Sequence, residues 1–440
     1  MQRRSYLKAI ATATAATSVP AFPALADDED AVDLDAGPYR TNEQVTRDLQ
    51  QLEQRTDRIQ LREIGRSAHL DDPIWEATIG SGETRIHAHD QIHGDEPAGT
   101  EVTLLLLRQL AEGTSPQVEH LLDTLTITFV PRSNPDGAMY REDTTGDGHD
   151  QRITRRQNTQ EWNEGDSRYR PYYNYGSPAG YDINRDFNID PDFRSGEEPA
   201  DWWRCEFDDG EEGWYIDQPE DEHVLRGSGL LLTPEARALT DSFLDADPEF
   251  ALSHHHQNLA ARTEDEDPDD PEKTLMSLMA VYGTDYEELA PYYDPDAPTS
   301  ENVNPFIDEE TSNRSLRLNR TVEEALSEQR WGVFDTVSRY GYAPLWGDYL
   351  DALCPQTDAA GILYEVTGQS DDLGNESFGL YVEATRIAYT ATLSAIADDP
   401  TLSDADEMEY FDIPLRGPDL DEFGSGRGSM LDRSIGAHPR

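Results

Sequence analysis

The chain has 440 residues, with 90 acidic against 35 basic side chains and a formal net charge of −55 at neutral pH. That length allows one large core or two modest ones. With no basic stripe to displace counterions from phosphates, no nucleic-acid partner is expected.

Arg3-Arg4-Ser-Tyr-Leu-Lys8 precedes a small, weakly apolar run at 9–20 and then Ala24-Leu25-Ala26. A charged start, an apolar middle and an A-x-A site predict a signal peptide over residues 1–26. The arginine pair resembles the twin-arginine export type, so an extracellular or cell-surface location is expected. No other run approaches the ~18 apolar residues that cross a bilayer, so no stable membrane span is expected. Residues 27–40 read as an acidic linker and 41–397 as one folded domain.

Within that domain Thr41 caps a helix with Val45, Leu49 and Leu52 on one face. Strands are predicted at 59–64, 73–79 and 85–90, a buried helix at 97–112, and a strand at 125–130. Thr233 followed by Pro234 opens another helix. Residues 250–253 and 361–366 read as short buried strands, and 376–397 as a closing helix. Strands alternating with helices predict an α/β fold with a mixed, mostly parallel central sheet and helices on both faces. Three acidic stretches, 142–180, 189–228 and 258–312, show no clear periodicity, and loops of that length are functional or disordered. Residues 398–440 read as a polar, peripheral tail, and the molecule as a monomer.

Composition also carries a setting. Only Lys8 and Lys273 are lysines. So large an acid excess strains a compact chain by self-repulsion, which molar salt relieves by shrinking the Debye length to ~3 Å. A carboxylate-rich, lysine-poor surface resembles proteins of extreme salt-lovers. Two cysteines, Cys205 and Cys354, could pair outside the cell or stay as free thiols.

His93-Gly-Asp-Glu96 lies after one predicted strand and before a helix. The spacing lets an imidazole and a carboxylate converge on one cation, although Asp95 and Glu96 also suit a bare helix N-terminus. His254, His255 and His256 follow another strand, where a polar loop would look the same. Two imidazoles and one carboxylate together make a zinc set with a position left open for water. Strand side chains alternate, so His255 shares a face with Ala251 and Ser253, and His254 and His256 share the other. A glutamate inside the apolar run 363–366, Glu365, makes sense as a carboxylate aimed into a pocket, being an expensive buried charge otherwise.

In order along the chain stand His93-x-x-Glu96, Asn134-Pro-Asp-Gly137, Arg152-Ile-Thr-Arg-Arg156, Asp182-Ile-Asn-Arg185, Ser253-His-His255 and Tyr364-Glu365-Val366. With these the chain resembles the zinc carboxypeptidase family of the carboxypeptidase A type over residues 41–397. The resemblance implies an α/β/α sandwich and one zinc per chain, held by His93, Glu96 and His255, with His254 and His256 as the other choices for the third ligand. It implies that Asp182 takes the second N–H of His93. It gives Glu365 the part of general base, then general acid, toward a metal-activated water. It sets Arg155 at the oxyanion, with Arg152 and Arg156 as rivals. It gives Asn184 and Arg185 to the terminal carboxylate of the substrate, and lays Tyr340, or Tyr342, over it. The implied activity is that of a secreted metallocarboxypeptidase acting on a peptide or protein with a free C-terminus. An endopeptidase, amidase or deacylase on the same scaffold, or an inactive zinc-binding surface module, are the alternatives. Asp186 in Asn-Arg-Asp-Phe departs from the family's second asparagine, and the acidic insertions leave substrate size open. Residues 143–150 half resemble a calcium loop without its closing glutamate, and read better as a solvated turn.

Overall fold

The computed structural model describes residues 39–142, 151–152, 154–160, 180–189, 202–206, 212–217, 222–225, 231–263, 272–289, 303–329, 336–342, 344, 347–368 and 375–420. The expected signal peptide, the linker up to residue 38 and the loop 143–150 lie outside them.

Thr41 caps α1 (Asn42–Arg55) reciprocally. Its hydroxyl accepts the Gln44 N–H, and the Gln44 side-chain oxygen accepts the Thr41 N–H, satisfying donors the helix itself cannot. Val45, Leu49 and Leu52 are buried along one stripe. The strands that follow are β1 (Ile59–Arg66), β2 (Pro73–Gly80), β3 (Thr84–His89) and β4 (Leu125–Val130), with α2 (Ala98–Glu112) and α3 (Pro116–Thr124) between the last two. Then come α4 (Pro234–Ala246), β5 (Phe250–Gln257), β6 (Met276–Ala280), α5 (Glu309–Ser327), β7 (Val337–Arg339), α6 (Tyr349–Thr357), β8 (Ala360–Thr367) and α7 (Asn375–Asp398).

The eight strands form one sheet in the order β1-β2-β4-β3-β5-β8-β6-β7. Four pairings are parallel and three antiparallel, so the sheet is mixed and mostly parallel, as expected. Apolar residues of α1, α2, α3, α5 and α7 cover one face, in a core with Ile86, Leu252 and Tyr364. Residues of α4 and α6, among them Leu239, Phe243, Leu350 and Leu353, cover the other beside Ala251 and Leu363. Among the described residues no helix is long and apolar enough to cross a membrane.

Three departures from the sequence reading have physical causes. β5 runs on through all three histidines to Gln257, because its parallel ladder with β8 continues to Thr367. The stretch 258–312 holds β6 and the start of α5, both too short within it to show a period. The supposed tail is not peripheral up to residue 420: Tyr410 and Ile413 are buried, and Arg317 binds Glu407 at 2.8 Å. Cys354 is a buried free thiol.

Two carboxyls at the start of α4 make stability depend on pH. Burial pushes Asp186 up to about 6, against the opposing Leu232 and Thr233 donors. It pushes Glu235 up to about 7, against the Ala68 N–H and the Asn158 amide. Both hold a proton more tightly folded than unfolded, so their stabilising contribution is complete below ~pH 4 and lost as pH rises through 6–7. The urea midpoint at about pH 5.5 is therefore expected to exceed that at about pH 8, by on the order of 2 kcal/mol in stability. A midpoint that climbs with pH over this window would contradict the assignment.

Candidate metal centre

His93 stands in the turn between β3 and α2, which a second turn holds in shape. The Asn134 side chain donates to the carbonyls of Ile92 (3.1 Å) and Arg156 (3.0 Å), and the Gly94 N–H donates to Arg156 O at 3.2 Å. A Cβ on Gly94 would lie 2.1 Å from the Gly137 carbonyl carbon, so glycine alone allows the two turns to touch. His255 comes from the carboxyl end of β5. Sites in open α/β sheets form at these strand ends.

His93, Glu96 and His255 are all buried, with ligand atoms within 4.8 Å of one another. The Glu96 oxygens lie 2.9 Å from the Nδ1 atoms of His93 and His255, and those two nitrogens are 3.0 Å apart. The far nitrogens are already engaged. His93 Nε2 donates to Asp182 Oδ1 at 3.2 Å, and His255 Nε2 lies 3.1 Å from Ser253 Oγ. With the Nε2 tautomer in both rings, lone pairs of two imidazoles and one carboxylate face each other with no proton between them. That is the donor set of a divalent cation, and zinc suits it in ligand type and number.

Without a cation in place, a proton on His93 would take its part among these charges. Burial and Arg156 lower the proton affinity of His93, but Glu96 and Asp182 outweigh them and push it up to about 9. Burial opposes ionisation of Glu96, yet His93 and His255 hold it well below the carboxylate range. Asp182 is likewise held low, by Arg156 and His93 against burial.

Behind His255 runs a relay that the sequence reading missed. Ser253 Oγ also lies 2.8 Å from Nε2 of buried His89. Ser253 and His89 are register partners across β5 and β3. If His255 donates from Nε2 to the hydroxyl, the hydroxyl passes its own proton toward His89, which fixes the ring that faces the metal. Such outer partners are worth ~10–100-fold in metal affinity. Ser253→Ala is expected to weaken zinc binding by that factor, read by chelator competition; unchanged affinity would remove the relay from the site.

The other two histidines face the opposite side of the sheet and neither lines the site nor donates to it. His256 Nε2 accepts the Ala98 N–H at 3.2 Å, serving as the cap that Pro97 does not provide for α2. His254 Nε2 meets Thr385 Oγ1 at 3.1 Å, on the side of Asp90, Thr103 and Tyr389.

The remaining expected residues divide. Glu365 is the register partner of His255, on the same face, and its Oε2 is buried without a hydrogen-bond partner. Burial first, then the charge of Glu96, raise its proton affinity well above the ordinary range. Arg155 stacks over Tyr140 and donates to Gln157, and it is Arg156 that reaches the centre. Arg156 Nε donates to Asp182 Oδ2 at 2.9 Å, and its terminal nitrogen is 3.2 Å from His93 Nδ1 and 3.8 Å from Glu96. The Arg152 side chain lies outside the described residues. Asn184 Nδ2 is 3.5 Å from His255 Nε2 and donates to Asp348, which lies 3.9 Å from Arg185. Tyr340 is half-buried beside Arg416. Tyr342 is a core residue, fully buried against Tyr282, with its hydroxyl on Asp351 at 2.6 Å.

A mostly parallel α/β sheet with a buried His–Glu–His set at its strand ends, and a second carboxylate beside it, defines a metallohydrolase. Residues 45–400 match the family model described as zinc carboxypeptidase, peptidase M14, and the chain belongs to that family of zinc metallopeptidases. No curated protein sequence matches it. Among solved structures it is similar to bovine thrombin-activatable fibrinolysis inhibitor, solved in complex with tick carboxypeptidase inhibitor: 13% identity, 82% of this chain and 98% of that one, TM-score 0.49. Carboxypeptidase A from Helicoverpa armigera matches with 15% identity over 82% and 74% of the two chains, TM-score 0.49. A metallo-carboxypeptidase from Burkholderia cenocepacia matches with 15% identity over 83% and 70%, TM-score 0.47.

Proposed function

We propose that the protein is a secreted, salt-adapted metallocarboxypeptidase that removes the C-terminal residue from peptides. The observation that carries this reading is the gathering of His93, Glu96, His255, Glu365 and the Asn184–Arg185 pair at one end of one sheet face. A zinc ion would be held by His93, Glu96 and His255, and the chemistry it would supply is Lewis acidity toward a carbonyl and a water. Asp182 and Ser253 keep the two imidazoles oriented for it. Glu365 takes the proton of the attacking water and returns it to the leaving amine, a task that suits a carboxylate of raised proton affinity. Arg156, rather than Arg155, faces the developing oxyanion as a fixed positive group. Arg185 offers the substrate's terminal carboxylate a guanidinium, in competition with Asp348.

A digest of a peptide library in high salt, read by mass, tests this. Single C-terminal residues should leave peptides with free carboxylates, amidated peptides should resist, and Glu365→Gln should be silent. Equal cleavage of amidated peptides would favour an amidase, and internal cuts an endopeptidase. The net charge of −55 motivates a separate expectation. Activity and thermal stability should fall together as salt is diluted from about 2 M to about 0.1 M, where screening weakens. Full rate and structure at the lower salt would refute the salt adaptation. Export through the twin-arginine-like start is part of the same proposal, checked by N-terminal sequencing of secreted protein.

A further inference from the structure

Residues 413–420 are laced to two segments that border the metal face of the sheet. The Arg339 N–H donates to Pro414 O (2.8 Å) and the Arg416 N–H to Arg339 O (2.9 Å). On the other side the Gly417 N–H donates to Ala261 O (2.9 Å), the Ala261 N–H to Pro418 O (2.9 Å) and the Leu420 N–H to Leu259 O (2.8 Å). This strap lies beyond residue 400, where the family match ends.

The strap brings in Arg416, whose Nε–H donates to Gln257 Oε1 at 2.6 Å and whose guanidinium carbon sits 5.3 Å from the centre of the Tyr340 ring. Its other nitrogens meet Asp419, Gly417 O (3.2 Å) and Asn258 O (3.5 Å). Gln257 stands two residues after His255 on the same strand face and is 2% exposed. Its Oε1 also accepts the Ser277 hydroxyl at 3.0 Å, and Ser277 is the register partner of Glu365. Two donors on one oxygen fix which way the amide points, because a flipped amide would set N–H against N–H. Its Nε2 is then left buried without a hydrogen-bond partner. Arg416 is close enough that Glu365 and Tyr340 both feel its charge.

We propose that Arg416 is a positioning residue of the substrate cleft: it locks the Gln257 amide and the Tyr340 ring beside Glu365, so that Gln257 Nε2 is presented as a donor to a carbonyl of the bound peptide. This rests on the metallocarboxypeptidase reading. A planar guanidinium can stack on a ring and donate from Nε at once, whereas an ammonium cannot do both. Arg416→Lys therefore keeps the charge and loses the lock.

Zinc-loaded wild type, Arg416→Ala and Arg416→Lys would be compared on a blocked dipeptide in high salt. Arg416→Ala should raise KM about tenfold with kcat within about threefold, as expected for lost ring stacking and one lost charge-assisted hydrogen bond, and Arg416→Lys should restore only part of it. In parallel, nitration of Tyr340 by tetranitromethane, followed by peptide mass spectrometry, reads the lock without using activity. Tyr340 should be protected in wild type and react several times faster in Arg416→Ala. Unchanged KM with unchanged nitration would overturn the proposal. So would a fall in kcat alone that tracks a lower melting temperature, since that marks a merely structural strap. Should wild type cleave no free C-terminus, the carboxypeptidase reading fails. The nitration result then still decides whether Arg416 holds Tyr340.

Discussion

Glu365→Gln is expected to lower kcat by about 10³-fold, within the ~10²–10⁴ that a positioned proton carrier contributes, while zinc content stays at that of wild type. The amide keeps the shape of the side chain, and the carboxylate makes no hydrogen bond through Oε2 that the change would break. What is lost is the ability to accept a proton. Burial and the charge of Glu96 already favour the protonated, neutral form of Glu365 in the metal-free protein, so the neutral amide costs little and the metal-free variant should melt close to the wild-type temperature. Single-turnover rates, metal analysis and calorimetry on one preparation separate these effects. A residual rate within tenfold of wild type would take proton transfer away from Glu365.

The second large effect is a contrast within three consecutive residues. His255→Ala should leave the protein almost free of zinc at micromolar metal, because it deletes one of three ligands and leaves Glu96 a buried carboxylate with less to neutralise it. His254→Ala should keep the metal and lose ~1–3 kcal/mol of stability through lost packing and an orphaned Thr385 hydroxyl. His256→Ala should also keep the metal, and lose ~1 kcal/mol with the cap of α2. Metal stoichiometry by mass spectrometry and urea midpoints read both. Zinc retained in His255→Ala and lost in His254→Ala would invert the assignment of the strand's faces.

How much of this was legible beforehand depends on where the information sits. The ligand spacing, the alternation along β5 and the apolar run around Glu365 are local patterns with few physical solutions, and they read directly. The choice between Arg155 and Arg156 did not, because neighbours in an extended segment point opposite ways and one residue of register decides. That register is set by bonds far along the chain, from Gly137 O to the Arg155 N–H and from the Gly94 N–H to Arg156 O. Tyr340 and Tyr342 stand two apart in one segment, and no local pattern says that the core takes up the hydroxyl of Tyr342 through Asp351. The Ser253–His89 relay needed the β3–β5 register, which no local pattern carries. The strap looks like a tail in the sequence because much of what docks it is backbone hydrogen bonding, which leaves no periodic pattern of side chains.

The strap also sets a schedule. The three candidate metal ligands are all synthesised by residue 255 and Glu365 follows, yet the segment laced to Leu259, Ala261 and Arg339 is made some fifty residues later still. A chain emerging from the ribosome can thus assemble its metal-gripping half while one wall of the cleft is missing. Gathering of the candidate ligands and docking of the strap are therefore separable events, and a chain released without residues 413–420 should still be able to bind metal while lacking the contacts that fix Gln257 and Tyr340.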